Sequence, residues 1–385
     1  MAARWQWGAG VLLVAGPALA LGLEQGLRPG LLWLIGAGLG LALFHAAFGF
    51  TGAFRRLLVE GRGAGLRAQM LLIGLLVLAF LPVLELGTLF GTPVRGFVFP
   101  MGWALLLGAF LFGMGMQFGG GCGSGTLYSA GGGAVRMWIT LAAFIAGATL
   151  AAWQAELWIG WAAFPPVSLP ERLGLWPAMG LSIAVLGLVA WISLRLERRR
   201  HGVAEALHWR GGHLLRGPWP LAWGAVALAM LSLATLAVAG RPWAITAAFP
   251  LWGSRVVEAL GWDDPSFWAY WEDPTRVEAW LRPVLADRIT LMDLGLMAGA
   301  FLAAGLAGRV GDGFRWPRMA EVLGSVCGGL LLGVGAMLAS GCNISAYVAG
   351  IASGSLHGWV WIIPALAGNF LAISIKKKWN SRIEN

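Results

Sequence analysis

The sequence predicts an all-α polytopic membrane protein of about ten transmembrane helices plus four re-entrant half-helices, arranged as two inverted repeats. Three observations predict it. Of 385 residues, 58% are hydrophobic and 12% charged, and apolar runs of about twenty residues, long enough to cross a bilayer core, recur along the whole chain. A ten-residue pattern, Gly-x-Gly-x-x-x-x-x-Gly-Cys, occurs at Gly113, Gly115, Gly121 and Cys122 and again at Gly333, Gly335, Gly341 and Cys342, an offset of 220 residues (333 − 113). Finally, 19 of the 27 basic residues fall on one side when the spans are threaded with the N-terminus inside, as the retention of Lys and Arg in short cytoplasmic loops requires.

Spans are expected near 9–24, 31–48, 68–86, 100–117, 137–153, 176–195, 218–239, 288–307, 319–338 and 358–375, each justified by an apolar run of spanning length. The first lies in an N-terminal segment, 1–30. Its Arg4, the apolar run 11–21 and the small residues Ala18 and Ala20 resemble a signal peptide, but one Arg between Trp5 and Trp7 is not a clear basic n-region, so an uncleaved helix is expected. A first repeat occupies 31–153, with half-helices near 49–56 (GFTGAFRR) and 119–133 (GGGCGSGTLYSAGGG). Residues 154–217 supply an outer loop, a connecting helix and a basic cytoplasmic loop. A second repeat, 218–375, carries half-helices near 243–253 (WAITAAFPLWG) and 340–354 (SGCNISAYVAGIASG), and 376–385 is a basic cytoplasmic tail.

Gly-rich, polar segments at membrane depth must be buried in protein or line a cavity, because lipid satisfies no backbone N–H or C=O. The first two such segments follow spans running outward to inward and the last two follow spans running the other way, so the halves are expected to be inverted. An even number of spans puts both termini on the cytoplasmic side of a bacterial inner membrane. The net charge of +9 is thus a topology signal; the basic residues flank apolar segments rather than forming a basic domain, which excludes a nucleic-acid binder. The outer stretch 261–288 is acidic and aromatic, with Asp263, Asp264, Glu272, Asp273 and Glu278 beside Trp262, Trp268, Trp271 and Trp280, and is expected to lie as an interfacial cap.

Cys122, Cys327 and Cys342 have no metal-ligand spacing and form no even-numbered disulfide framework, and five scattered histidines suggest neither zinc nor haem, so no metal or cofactor is expected. Inverted repeats bring broken helices together near the midplane, where positive helix N-termini face an anionic substrate. Ser124 and Thr126, and Asn343 and Ser345, are N-cap residue types standing where the half-helices should begin. Each thiol would then sit beside a donor-rich helix start. Glycines that merely allow close packing around two inert thiols are the plainer reading; two copies in register in opposite halves favour a site.

These motifs resemble the YeeE/YedE family, membrane proteins with a sulfur-transport domain whose characterised members take up thiosulfate. The resemblance covers nearly the whole chain and is most specific at 113–133 and 333–354, with weaker support from 49–56 and 243–253. It implies an inverted-repeat fold with re-entrant half-helices and a thiosulfate path lined by cysteines, two of which Cys122 and Cys342 match. Thiosulfate members usually have a further Cys just before the Thr-Gly pair of the first half-helix; here the matching position is Gly49, ahead of Thr51 and Gly52. With that thiol missing, another sulfur or selenium species stays open as the substrate.

The candidate substrate-binding residues are therefore Cys122, Cys342, Gly121, Gly341, Gln117, Ser124, Thr126, Asn343, Ser345, Gly49 and Thr51. A neutral thiol donates a weak S–H bond to an anion where a thiolate would repel it, and a dianion crossing hydrocarbon needs further polar groups, for which Gln117, Ser124, Thr126, Asn343 and Ser345 are placed. No arginine is clearly placed at the midplane. Cys327 and His45 are expected to serve packing, and Asp293 to be a first-turn acid near the interface. The expected function is a permease for a small sulfur-containing anion, embedded in the lipid bilayer, with no enzymatic activity and with a cytoplasmic sulfurtransferase as a candidate partner. The rival is a membrane-embedded thiol sulfurtransferase or redox relay, which would normally show an adjacent base or a Cys-x-x-Cys pair.

Overall fold

Apolar length becomes helix at all ten expected places. The computed structural model describes residues 2–208, 211–312 and 314–383, so Arg210 of the basic loop and the last two residues of the tail lie outside it. The helices are α1 (Ala2–Glu24), α2 (Leu27–Ala46), α3 (Phe50–Arg55), α4 (Ala64–Leu86), α5 (Trp103–Gly119), α6 (Gly123–Gly131), α7 (Val135–Trp153), α8 (Glu156–Ile159) and α9 (Leu169–Leu173). They continue as α10 (Leu175–His201), α11 (Leu221–Ala239), α12 (Ala248–Ala259), α13 (Pro274–Leu281), α14 (Arg288–Ala307), α15 (Met319–Leu338), α16 (Ala349–Ala352) and α17 (Leu356–Ile383). Among the described residues ten of these (α1, α2, α4, α5, α7, α10, α11, α14, α15 and α17) are long and apolar enough to cross a membrane. The protein is an all-α, multi-pass membrane protein. Each of the four Gly-rich segments carries a short helix instead: α3, α6, α12, and a π-helical stretch Asn343–Val348 that runs into α16. The strand pairs among the described residues are two, Thr88–Leu89 with Thr92–Pro93 and Met101–Gly102 with Ala163–Phe164.

Helix contacts across the two halves come in exchanged pairs. α2 packs on α14 as α11 packs on α4; α7 packs on α15 as α17 packs on α5; α6 meets α14 as α16 meets α4; α12 meets α7 as α3 meets α17; and α5 and α15 pack on each other. Outside this set, α1 lies on α14 and α10 on α4. The closest approach is between α2 and α14, where a Cβ on Gly40 would stand 1.9 Å from the Leu296 carbonyl oxygen and one on Gly299 1.8 Å from that of Ala37. In an apolar solvent, such backbone contact supplies the dispersion energy that burial supplies in water.

One end of the molecule is fastened by a buried ion pair. Glu197, fully buried near the end of α10, accepts from Arg67 Nη1 of α4 at 2.8 Å and from the backbone N–H groups of Gly63 at 3.1 Å and Glu205 at 3.0 Å. Arg62 Nη1 also meets Glu197, at 3.4 Å, so removing Arg67 leaves the buried carboxylate with only the longer of its two ion pairs, a loss of up to about 3 kcal/mol. Arg67→Ala is therefore expected to lower the unfolding temperature in detergent clearly, whereas Arg309→Ala, whose partner Asp312 is exposed like itself, is expected to leave it almost unchanged.

At the opposite end, residues 261–287 form a cap built on α13. Three of its four tryptophans turn inward: Trp268, Trp271 and Trp280 are buried and only Trp262 is exposed. Trp271 and Trp280 lie with ring centroids 5.3 Å apart, and the Arg255 guanidinium of α12 sits 3.9 Å from the centre of the Trp280 ring. The expectation of tryptophans at a headgroup boundary is corrected here, because aromatic and cation–π partners within the protein outcompete the interface for these rings.

Candidate functional site

The repeated decapeptide divides into a packing half and a site half. In α5, a Cβ on Gly113 would stand 2.0 Å from the Ala365 carbonyl oxygen of α17, and one on Gly115 2.8 Å from that of Gly328 in α15. In α15, a Cβ on Gly333 would stand 2.4 Å from the Phe144 carbonyl oxygen of α7, and one on Gly335 2.7 Å from that of Gly108 in α5. The Gly-x-Gly pairs thus let each helix touch two neighbours, and the Gly-Cys that follows breaks the helix.

Both breaks end in the same way. Cys122 is the N-cap of α6 with φ −93° and ψ −169°, and Cys342 is the N-cap of the Asn343–Val348 stretch with φ −98° and ψ −171°. The Gly125 N–H donates to the Cys122 sulfur at 3.4 Å, and the Ser124 hydroxyl lies 3.5 Å from it. At the second copy the Cys342 N–H donates to the Ser345 hydroxyl at 3.1 Å, and that hydroxyl donates to the Cys342 sulfur at 3.9 Å. Sequence reasoning placed the caps on Ser124, Thr126, Asn343 and Ser345; the cysteines themselves take the cap position, and the hydroxyls of the first turn reach back to them.

The two caps meet. A Cβ at Gly123 would stand 3.2 Å from the Cys342 sulfur and 3.5 Å from the Thr246 methyl carbon, and both thiols are buried. The backbone at Phe50, the first residue of α3, faces the Cys122 thiol. Gly121 and Gly341 have no room for a side chain, since a Cβ would lie 2.8 Å from the Thr126 hydroxyl and 2.1 Å from the Ser345 hydroxyl, and Gly341 has a φ of +134°. Around this junction the Thr126 hydroxyl, the Thr51 hydroxyl and both polar atoms of the Asn343 side chain are buried with no hydrogen-bond partner among the described residues, an arrangement that protein interiors avoid unless something else is to be bound there.

Gln117 is committed to the scaffold. Its amide donates to Asn369 Oδ1 of α17 at 2.7 Å and to the Thr51 carbonyl at 3.3 Å. Two cations then close the end of α5: Lys376 Nζ donates to the Gln117 carbonyl at 2.5 Å and Arg136 Nη2 to that of Phe118 at 2.8 Å, where the helix dipole favours positive charge.

On the cap side lies a cavity of about 1060 Å³ whose floor includes Thr246, Ser340, Gly341 and Ser345 and whose wall carries Arg28, Arg241 and Arg288. Among the described residues no carboxylate forms a salt bridge with any of these three. Burial, and then the charge of Arg95, hold the Arg241 guanidinium below its usual range. Sequence reasoning missed this cluster because its members come from the start of α2, the loop after α11 and the start of α14. A signal was present: the basic partition leaves eight residues on the minority side (27 − 19), and five of them (Arg28, Arg241, Arg276, Arg282 and Arg288) line the cavity.

Three other residues fall away from the junction. Cys327 is exposed on α15 rather than packed. His45 is buried against Trp219, ring centroids 5.4 Å apart, in a packing position. Asp293, five residues into α14 from Arg288, is fully buried with neither carboxylate oxygen partnered among the described residues. No group of three or more His, Cys, Asp or Glu side chains among the described residues is arranged to hold a metal ion.

A family model described as Sulphur transport matches residues 45–371. The chain is 30% identical over 160 residues to the probable transporter YedE of Salmonella typhimurium, a match of 40% of this chain and 36% of that protein, so it spans about a third of that relative's length. It is 26% identical over 349 residues to the thiosulfate transporter TsuA of Spirochaeta thermophila, covering 88% of this chain and 96% of that one. To the thiosulfate transporter TsuA of Escherichia coli it is 24% identical over 366 residues, covering 88% and 92%.

Proposed function

Because the chain belongs to the Sulphur transport family, we propose that it is an inner-membrane permease for a small sulfur-containing anion of the thiosulfate class. The anion is gathered by the arginine-walled cavity, passes between the Cys122 and Cys342 thiols and leaves at the basic end. The observation that carries this reading is the meeting of two cysteine N-caps of matching backbone geometry beneath a cationic cavity, ringed by unpartnered buried donors.

The chemistry suits an anion. At each cap the sulfur accepts from groups of its own first turn, the Gly125 N–H in one case and the Ser345 hydroxyl in the other, which leaves the S–H proton to be donated into the path. Asn343 and Thr126 add stronger donors, and the arginines supply the long-range field that concentrates an anion at the entrance. In this reading residues 31–153 and 218–375 are inverted repeats and the four short segments are re-entrant, which the exchanged pairing of helices across the two halves supports. A sulfurtransferase or redox reading draws on the closeness of the two thiols, but the hydrogen-bond partners found for both are hydroxyls and backbone N–H groups, none of them a general base.

Uptake of radiolabelled thiosulfate into proteoliposomes holding only this protein tests the proposal; vesicles no more permeable than protein-free ones would refute it. Orientation has its own check. With both termini cytoplasmic, a probe cysteine at Gly202 in a Cys327→Ala background is expected to react with a membrane-impermeant maleimide only after the membrane is opened, and one at Ser266 in intact spheroplasts. The reverse pattern would overturn the assigned topology.

A further inference from the structure

Gly49 is the N-cap of α3, yet nothing in its backbone requires glycine: its φ of −112° and ψ of 123° are extended values open to any residue. Space is not lacking either, since a Cβ there would meet only the Tyr128 hydroxyl at 3.4 Å and the Ala47 carbonyl at 3.9 Å. What the missing side chain provides is room in front of that hydroxyl. Tyr128 lies six residues into α6 from Cys122, about 9 Å along the helix axis, and its side chain brings the hydroxyl back beside the start of α3. The same start faces the Cys122 thiol through the Phe50 backbone, and Tyr128 lies within electrostatic range of that thiol. Thr51, next along, keeps a buried hydroxyl without a partner.

From this geometry we infer that the Tyr128 hydroxyl is a specificity-determining contact of the path, donating to an oxygen of the anion on the far side of Cys122 in the room left by Gly49. The inference rests on the transport reading and narrows its substrate class. A thiol tolerates a soft terminal sulfur, whereas a phenolic O–H discriminates for a hard oxygen acceptor. A species handed from Cys122 to Tyr128 must therefore carry S–O oxygens, as thiosulfate and sulfite do and thiocyanate does not. In the second copy the matching position is Val348, and the neighbouring Tyr347, five residues after Cys342, is committed to packing: its ring is stacked on Trp361 and edge-on to Phe50.

The test is uptake of labelled thiosulfate by proteoliposomes, competed by unlabelled sulfite or thiocyanate, for wild type, Tyr128→Phe and Tyr128→Phe combined with Gly49→Cys. Wild-type uptake is expected to be inhibited by sulfite and not by thiocyanate. Tyr128→Phe is expected to lower thiosulfate uptake about tenfold, the loss of one hydrogen bond to a charged group, and to weaken sulfite competition as well. Adding Gly49→Cys is expected to restore thiosulfate uptake through a soft contact while sulfite stays a poor competitor. The competition pattern is a ratio and so is independent of how much variant folds. Wild-type uptake and an unaltered competition pattern in Tyr128→Phe would overturn the inference and leave the transport reading standing. Absence of uptake by wild type itself would overturn the transport reading, and the inference with it.

Discussion

Replacing Cys122 or Cys342 by alanine is expected to reduce thiosulfate uptake by about ten- to a hundredfold each, with the protein still folded. A hydrogen bond to a charged group contributes about 1.5–3 kcal/mol, and a truncated side chain at this buried junction offers the anion no donor in place of the lost S–H. Folding is expected to survive because each thiol is a small buried group whose cap contacts are long, 3.4 Å at Cys122 and 3.9 Å at Cys342, and alanine fits the space. The two losses are not expected to add, since both thiols border one junction beside Gly123. Cys327→Ala supplies the control: its side chain is exposed, and uptake is expected to stay near that of wild type. Unaltered uptake by the Cys122→Ala, Cys342→Ala double variant would mean that the paired motifs are scaffolding.

The second large effect concerns the arginine wall. Arg241→Gln with Arg288→Gln is expected to raise the KM for thiosulfate about tenfold at low ionic strength while changing kcat little, because in the proposed path these groups serve to concentrate the anion ahead of the thiols. At 1 M salt, where the Debye length shrinks to about 3 Å, the difference from wild type is expected to shrink with it. Arg282, ion-paired with the exposed Glu278, makes a suitable comparison, and its replacement by Gln is expected to have much the smaller effect. A fall in kcat with KM unchanged would place the arginines in the translocation step instead of the entrance.

The sequence made the ten spans legible because apolar length is a property of contiguous residues, and α1, α2, α4, α5, α7, α10, α11, α14, α15 and α17 all coincide with such runs. The special character of the two Gly-Cys breaks was legible for the same reason, being written twice in one order. The half-helix starts were misplaced by a few residues. Ser, Thr and Asn outrank Cys as caps in soluble helices, whereas here the thiol takes that place and Ser124 and Ser345 support it from within the first turn. Convergence was not legible. Arg28, Arg241 and Arg288 are remote in sequence, and only packing of α2 on α14 brings the first and last together. Gln117 read as a substrate donor because it is a polar residue in an apolar run, but that polarity is used to join α5 to α17 through Asn369. The outer tryptophans were read from composition, which does not tell a ring facing lipid from one stacked on another ring or an arginine.

The central claim, that the junction of the two cysteine caps binds a sulfur oxyanion, is tested most directly by equilibrium titration of the detergent-purified protein with thiosulfate, comparing wild type with the Cys122→Ala, Cys342→Ala double variant of equal thermal stability. The expected result is saturable binding of one anion by wild type and binding weakened about tenfold or more in the double variant. Equal affinity in the two proteins would contradict it.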